Sequence, residues 1–289
     1  MKYLFIFIFL FTSLYASKIE IEILGSGGPE LDGRASASYV LWVDNEAKLI
    51  VDMGSGSMLR FEESGGRIET LEAVVLTHLH IDHCVDLPSF IKAGYFSQRE
   101  DSLDIIGPSG NHYFPSIDEY LTGLFGSDGI YRYMSDVLSY SSDSFEITAV
   151  EIDSNDVIEK RYEGMTLSFI NVHHGHIPAL AVAIMIEGKK IVISGDTNDE
   201  NKHLDILARN ADIFIAHHAI PQNSGSFAKK LHMTPTTIGK IAAQNQVKQL
   251  ILSHRMKRTL HNEQESLKLI KKNYKGKIVF AEDRMKIKL

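Results

Sequence analysis

The stretch THLHIDHC at residues 77–84 places three histidines and one aspartate within six consecutive positions, directly after the apolar run AVVL. Such a run reads as a buried strand, so the polar hook begins where the chain leaves the core. His78 and His80 lie two positions apart at the strand's end, and in extended chain their side chains project to one side. Asp82 and His83 follow across a turn into the next helix, facing a neighbouring point in space. Imidazole and carboxylate are ligands for zinc, iron or manganese, and this arrangement suits two adjacent ions better than one. By composition, H-x-H-x-D-H arises by chance in on the order of one chain in a thousand of this length. A polar surface loop with accidental histidines is a correspondingly weak alternative.

The rest of the 289 residues supplies a core for that hook to stand on, with 44% of them hydrophobic. KIEIEIL (18–24) alternates as a strand, and the tight turn GSGGP follows. SYVLWV and AKLIVD flank Asp44-Asn45-Glu46 as a hairpin. SMLRFEES, VDLPSFIKAGYF and FPSIDEYLTGLF predict helices, and SLDIIG a strand. From about 144 to 194 the pattern is strand-rich: SFEITAVEI, TLSFINV, ALAVAIMI and KIVISG. Helices then alternate with strands: HLDILAR, DIFIA, TPTTIGKIAAQ, QLILS, ESLKLIKKNY and KIVFAE. With no linker-like Pro/Gly/Ser run between the halves, residues 17–289 read as one α/β domain of two packed sheets with helices outside.

These motifs, in this order, resemble the metallo-β-lactamase superfamily in its ribonuclease Z and arylsulfatase-like phosphodiesterase branch. The resemblance rests on LGSGGP (24–29) with Arg34 beyond it, LIVDMGSG (49–56), THLHIDH, HHGHIPALAVAI, ISGDT (193–197) and LILSH ending at His254. It implies a four-layer αββα sandwich with metals in a groove at one edge of the sheets. It also implies that His78 and His80, with a histidine from segment 173–176, hold one metal. Asp82, His83 and His254 hold the second, and Asp196 bridges the two. His174-Gly175 followed by PAL matches the family pattern at the third position, with His173 as the rival; strand alternation keeps both from pointing at one metal. The expected cofactors are thus two divalent ions, zinc foremost, with manganese or iron as alternatives. Asp82, Asp196 and His232 are the candidate catalytic residues, and His232 stands where the branch places a proton donor to the leaving oxygen. His217 resembles the first residue of a His-Glu-Ala-Thr segment, but His218 replaces the glutamate. Asp52, at the end of an apolar strand, reads either as an acid orienting a ligand histidine or as an ordinary turn aspartate. His112, His203 and His261 have no supporting context and read as surface residues.

Two metals about 3.5–4 Å apart share a water and lower its pKa toward neutrality, making a bridging hydroxide that attacks phosphorus, sulfur or a carbonyl carbon. The sole cysteine, Cys84, is not at a ligand position, which disfavours a classical β-lactamase. The formal charge is −7, with 37 acidic against 30 basic side chains, whereas a protein that grips a phosphate backbone usually carries a basic surface. Segments such as SIDEYLTGLFGSDG also lack the basic Gly/Pro-rich arm that the branch's ribonuclease uses to grip its substrate. The expected partner is therefore a small-molecule ester rather than nucleic acid, and a homodimer is compatible with the sequence. MKYLFIFIFLFTSLYA (1–16) reads as a secretory signal: a basic Lys2, an apolar stretch too short to span a bilayer, and Ala16 for cleavage. The expectation is a periplasmic or secreted hydrolase of small phosphodiesters or related esters, with no membrane span after cleavage. The alternatives are a ribonuclease Z-like tRNA 3′ endonuclease, an acyl-ester or lactone hydrolase, a non-catalytic metal-binding member of the fold, and an iron oxidoreductase.

Overall fold

The computed structural model describes residues 17–138 and 146–289. The first sixteen residues, on which the export expectation rests, lie outside the described residues, as do residues 139–145. Among the described residues, fourteen strands form two seven-stranded sheets. The first sheet contains β1 (Ile19–Gly25), β2 (Ser38–Val43), β3 (Glu46–Val51), β4 (Ala73–Val75), β5 (Leu103–Pro108) and β6 (Ile147–Ile152). The second contains β7 (Ile158–Tyr162), β8 (Met165–His174), β9 (Ile177–Ile186), β10 (Lys189–Ile193), β11 (Ile213–His217), β12 (Gln249–Ser253) and β13 (Lys277–Phe280). The last strand, β14 (Met285–Lys288), returns to the first sheet and pairs antiparallel with β1, giving the order β14-β1-β2-β3-β4-β5-β6. The second sheet runs β13-β12-β11-β10-β9-β8-β7.

Alternation decides what each sheet buries. Ile19, Ile21 and Ile23 of β1 face the second sheet and pack with Leu167, Phe169, Val182, Ile191 and Ile215. Burying each such side chain contributes about 1.5–3 kcal/mol. The opposite face of β1 buries Glu22, whose carboxylate accepts from Trp42 Nε1 at 2.8 Å and from Ser64 Oγ at 2.6 Å. Asp44 and Asn45 turn β2 into β3 with φ of 51° and 68°, the two-residue geometry that suits strand twist.

Helices cover both outer faces. In chain order they are α1 (Ser57–Glu63), α2 (Ile81–Cys84), α3 (Leu87–Gly94), α4 (Ile117–Phe125), α5 (Leu204–Ala208), α6 (Ser226–Leu231), α7 (Pro235–Gln244), α8 (Lys257–Leu260) and α9 (Glu263–Asn273). Phe61, Phe90, Ile91, Leu121 and Phe125 from α1, α3 and α4 pack on the first sheet. Leu204, Ile238, Ile241 and Ile270 from α5, α7 and α9 pack on the second. The result is the expected αββα sandwich. Among the described residues, no helix is long and apolar enough to cross a membrane.

Two strands escape the sequence reading. The residues of β7 (IEKRY) are mostly exposed, so no apolar alternation marks it and its pairing with β8 makes it a strand. β14 (MKIK) does alternate, packing Met285 and Ile287 against the core between the sheets. Two apolar residues are too few for a pattern to stand out, and its pairing with β1 makes it a strand. A third difference concerns the hook: β4 ends at Val75, so His78 and His80 stand in irregular chain between β4 and α2 rather than in the strand.

Candidate metal centre

Six separate strand ends deliver the site. β3, β4 and β5 run parallel, as do β10, β11 and β12, so their carboxyl ends share one edge of the sandwich. Asp52 follows β3, the 77–83 hook follows β4, Asp196 follows β10, and His254 follows β12. His174 closes β8, and His217 closes β11. This edge is where open α/β sheets place ligands, because loops there diverge from a rigid frame.

The side chains converge in two groups that share one carboxylate. His78, His80, His174 and Asp196 present ligand-type atoms within 4.8 Å of one another. His78 Nε2 lies 3.0 Å from His80 Nδ1 and 3.9 Å from Asp196 Oδ2, while His174 Nε2 lies 3.7 Å from the same oxygen. On the other side, His254 Nε2 lies 3.2 Å from both Asp82 Oδ2 and His83 Nε2. His83 Nε2 is 3.6 Å from Asp82 Oδ2 and 3.9 Å from Asp196 Oδ2, and His254 Nε2 is 3.7 Å from Asp196 Oδ1.

These spacings fit divalent metals. Ligand atoms about 2.0–2.1 Å from a tetrahedral ion stand roughly 3.3–3.4 Å from each other, and the distances above bracket that value. Buried polar atoms normally have partners, yet His174 Nε2 has none and faces the cluster. Burial pushes the His78, His80 and His174 rings toward the neutral form, the form that offers a lone pair to a cation.

The far side of each ring is fixed. Thr77 N and Oγ1 donate to Asp52 at 2.7 and 2.9 Å, and His83 Nδ1 donates to the same carboxylate at 2.8 Å. His83 Nε2 is thereby left to face the cluster, so Asp52 orients a cluster histidine. His174 Nδ1 donates to Leu231 O at 2.8 Å, with the same effect on its Nε2. His173 points the other way, with Nδ1 3.0 Å from Asn198 Oδ1, so alternation along β8 leaves His174 facing Asp196.

Asp196 Oδ1 accepts from His217 Nδ1 at 2.8 Å, and the Tyr39 hydroxyl lies 2.9 Å from His217 Nε2. His217 falls within 4.8 Å of His83, Asp196 and His254. Because both its nitrogens are engaged, it steadies the aspartate rather than offering a lone pair. Tyr39 gave no signal in the sequence, where SYVLWV reads as an ordinary core strand. Burial opposes ionisation of Asp196, but His254 and His232 outweigh it and hold its pKa well below the usual carboxylate range. Burial likewise opposes Asp82, and His254 and His83 bring it down to about 2.

His232 stands over the cluster, its Nδ1 3.6 Å from Asp196 Oδ2 and its ring 5.3 Å from that of His174. Burial lowers its pKa to about 3, so it is neutral at pH 7. His218 turns away to Ser266 Oγ at 3.0 Å and to the Phe280 ring. It does not stand in for the missing glutamate beside His232.

A family model described as a beta-lactamase superfamily domain matches residues 55–255. Among curated proteins, the chain is 27% identical over 270 residues to a ribonuclease Z of Listeria welshimeri, spanning 82% of this chain and 88% of the relative. The fold is similar to that of YhfI from Bacillus subtilis, a metallo-β-lactamase fold protein. There the TM-score is 0.73 at 18% identity, over 95% of this chain and all of the other. It is also similar to the short form of human tRNase Z, with a TM-score of 0.68 at 22% identity over 93% and 98% of the two chains.

Proposed function

The chain belongs to the beta-lactamase superfamily, and from that premise we propose that it is a metal-dependent hydrolase of phosphodiester bonds. One observation carries the reading: Asp196 stands between two histidine groups, with ring nitrogens of both within 3.9 Å of its Oδ2. In this reading His78, His80 and His174 would hold one divalent ion, Asp82, His83 and His254 would hold the other, and Asp196 would serve both. Zinc suits this nitrogen-rich donor set, with manganese or iron as alternatives. When bound, such a pair supplies a water of near-neutral pKa and positive charge for oxygens on phosphorus.

The chain's own residues then decide what the site does with its substrate. His232, neutral and poised over the cluster, hydrogen-bonds the leaving oxygen and assists its departure. Arg258, the fourth residue after His254, is held by its Nε–H donating to Ala219 O at 2.7 Å. Its field reaches both His232 and Asp196, which favours an anionic substrate over a neutral ester.

Two substrate classes remain within the phosphodiester reading. The acidic balance of 37 to 30 favours a small diester. The curated relatives named ribonuclease Z, matched across 82% of the chain, favour RNA and weigh against setting nucleic acid aside on charge alone. The experiment is a turnover panel on zinc-loaded protein: bis(p-nitrophenyl) phosphate, a p-nitrophenyl ester, and a tRNA precursor with a 3′ extension. Cleavage of either phosphodiester supports the reading, and the faster one assigns the class. Turnover of the carboxylic ester alone overturns it.

A further inference from the structure

Beside the metal centre lies a cavity of about 370 Å³, lined by Asn111, His112, Tyr113, Gly175, His176 and Ile177 together with Pro178. Its volume matches that of small-ligand sites, although it is open to solvent rather than enclosed. It adjoins the centre through two covalent connections: Gly175 and His176 follow His174 directly, and Tyr113 precedes Phe114, whose ring lies 5.9 Å from that of His80.

The lining contains no carboxylate, lysine or arginine, although the chain is acidic overall. It offers instead a run of rings. Tyr113 lies 5.0 Å from His112 and 6.2 Å from His176, centroid to centroid. Tyr113 is 73% exposed, so its ring contributes little to the core, yet its backbone is held in place. Asn111 Oδ1 accepts from the amides of Tyr113 and Phe114 at 2.8 and 3.0 Å. The same side chain's Nδ2 donates to His176 O at 2.8 Å. One amide thus ties the loop carrying Tyr113 to the hairpin turn carrying His176. A largely bare aromatic side chain on an anchored backbone beside the site has the character of a stacking platform.

We propose that this cavity is the substrate's ring subsite: a planar aromatic group carried by the phosphate, either directly on an ester oxygen or across a sugar, stacks on Tyr113, with the His176 ring closing on its edge. The spacing and 48° tilt between the Tyr113 and His176 rings give an open V rather than a slot, so the group is one ring system laid on Tyr113 and not clamped between two faces. The shared chemistry is a flat π-system in the same molecule as a phosphate ester, either the base of a nucleotide or a simple aryl group. The inference rests on the phosphodiesterase reading and narrows it to diesters that carry such a ring.

The test measures binding rather than turnover. Phenyl phosphate, uridine 5′-monophosphate and methyl phosphate are titrated calorimetrically into the zinc-loaded full chain, Tyr113→Ala and Tyr113→Phe. Stacking is worth about 1–3 kcal/mol per ring, so the two ring-bearing phosphates should bind about fivefold or more tightly than methyl phosphate. Tyr113→Ala should erase that preference, and Tyr113→Phe should retain it. Uridine monophosphate ahead of phenyl phosphate identifies a nucleobase as the occupant, and equal affinity identifies an aryl group in general. Equal binding of ring-bearing and ring-free phosphates, or a preference that survives Tyr113→Ala, overturns the subsite. If neither bis(p-nitrophenyl) phosphate nor the tRNA precursor is hydrolysed while the ring preference holds, the phosphodiesterase reading fails and the subsite stands.

Discussion

Asp52 has a φ of 61° and His254 a φ of 52°, a left-handed conformation that non-glycine residues rarely adopt. Both belong to the site, where such conformations concentrate. At Asp52 the result is a carboxylate pressed against His83. Burial alone would lower the pKa of that imidazole, but the Asp52 charge and hydrogen bond prevail and raise it to about 9. The unfolded value is near 6.5. In metal-free protein this pairing therefore stabilises the fold fully below about pH 6.5, and its contribution is lost as pH rises through 9. The thermal midpoint of metal-free wild type should exceed that of Asp52→Asn most clearly near pH 6, with the gap narrowing toward pH 9. A gap that widens with pH would show that His83 is not the group concerned. A metal must displace the same proton, so zinc binding at pH 7.5 should release protons, measurable by calorimetry in buffers of different ionisation heat. For His232, replacement by alanine should slow diesters with alkoxide leaving groups by about 10²–10⁴-fold and p-nitrophenyl diesters much less. Equal losses would mean that it does not assist the leaving oxygen.

At the scale of elements, the β8–β9 hairpin shows how turn geometry reaches the site. Gly175 adopts a φ of 66°, and a Cβ there would lie 2.8 Å from Leu231 Cδ2. Leu231 ends α6, and its carbonyl orients His174. Gly175→Ala should therefore cost about 1–2 kcal/mol in backbone strain and also displace Leu231, lowering both the thermal midpoint and zinc retention. Gly164, with a φ of 72° and open space around it, is the control: Gly164→Ala should lower the midpoint and leave zinc content unchanged. Matching zinc losses in the two variants would dissociate the turn from the site. Legibility follows the same division. His78, His80, Asp82 and His83 are readable because they are local; strand alternation admits only one of His173 and His174, and the resemblance to the family pattern picks His174. His217 and Tyr39 meet across 178 residues of sequence, and the Leu231 carbonyl carries no side-chain identity. No local pattern announces such partners. The strands legible in sequence are those with an apolar face; β7 has none, and only its neighbour makes it a strand.

For the whole molecule, the site joins the two sheets at one edge. The first sheet's loops bring His78, His80, Asp82 and His83, and the second sheet's bring His174, Asp196 and His254. Away from that edge, three apolar clusters hold the sandwich together, so the fold should survive without metal. Bound metal should nonetheless act as a clasp, because cations that bind the native arrangement stabilise it by mass action. At free zinc about a thousandfold above Kd, the gain is about 4 kcal/mol. Chelation should accordingly lower the thermal midpoint while preserving the far-ultraviolet circular dichroism spectrum. Asp196→Ala separates the clasp from the core, since its carboxylate lies against both groups while the apolar clusters do not depend on it. That variant should keep the spectrum, lose turnover, and show a much smaller midpoint shift on adding zinc. A variant that still gained the full shift would mean that zinc is held elsewhere. A variant that unfolded would mean that the carboxylate is needed to bring the two sheets together at all.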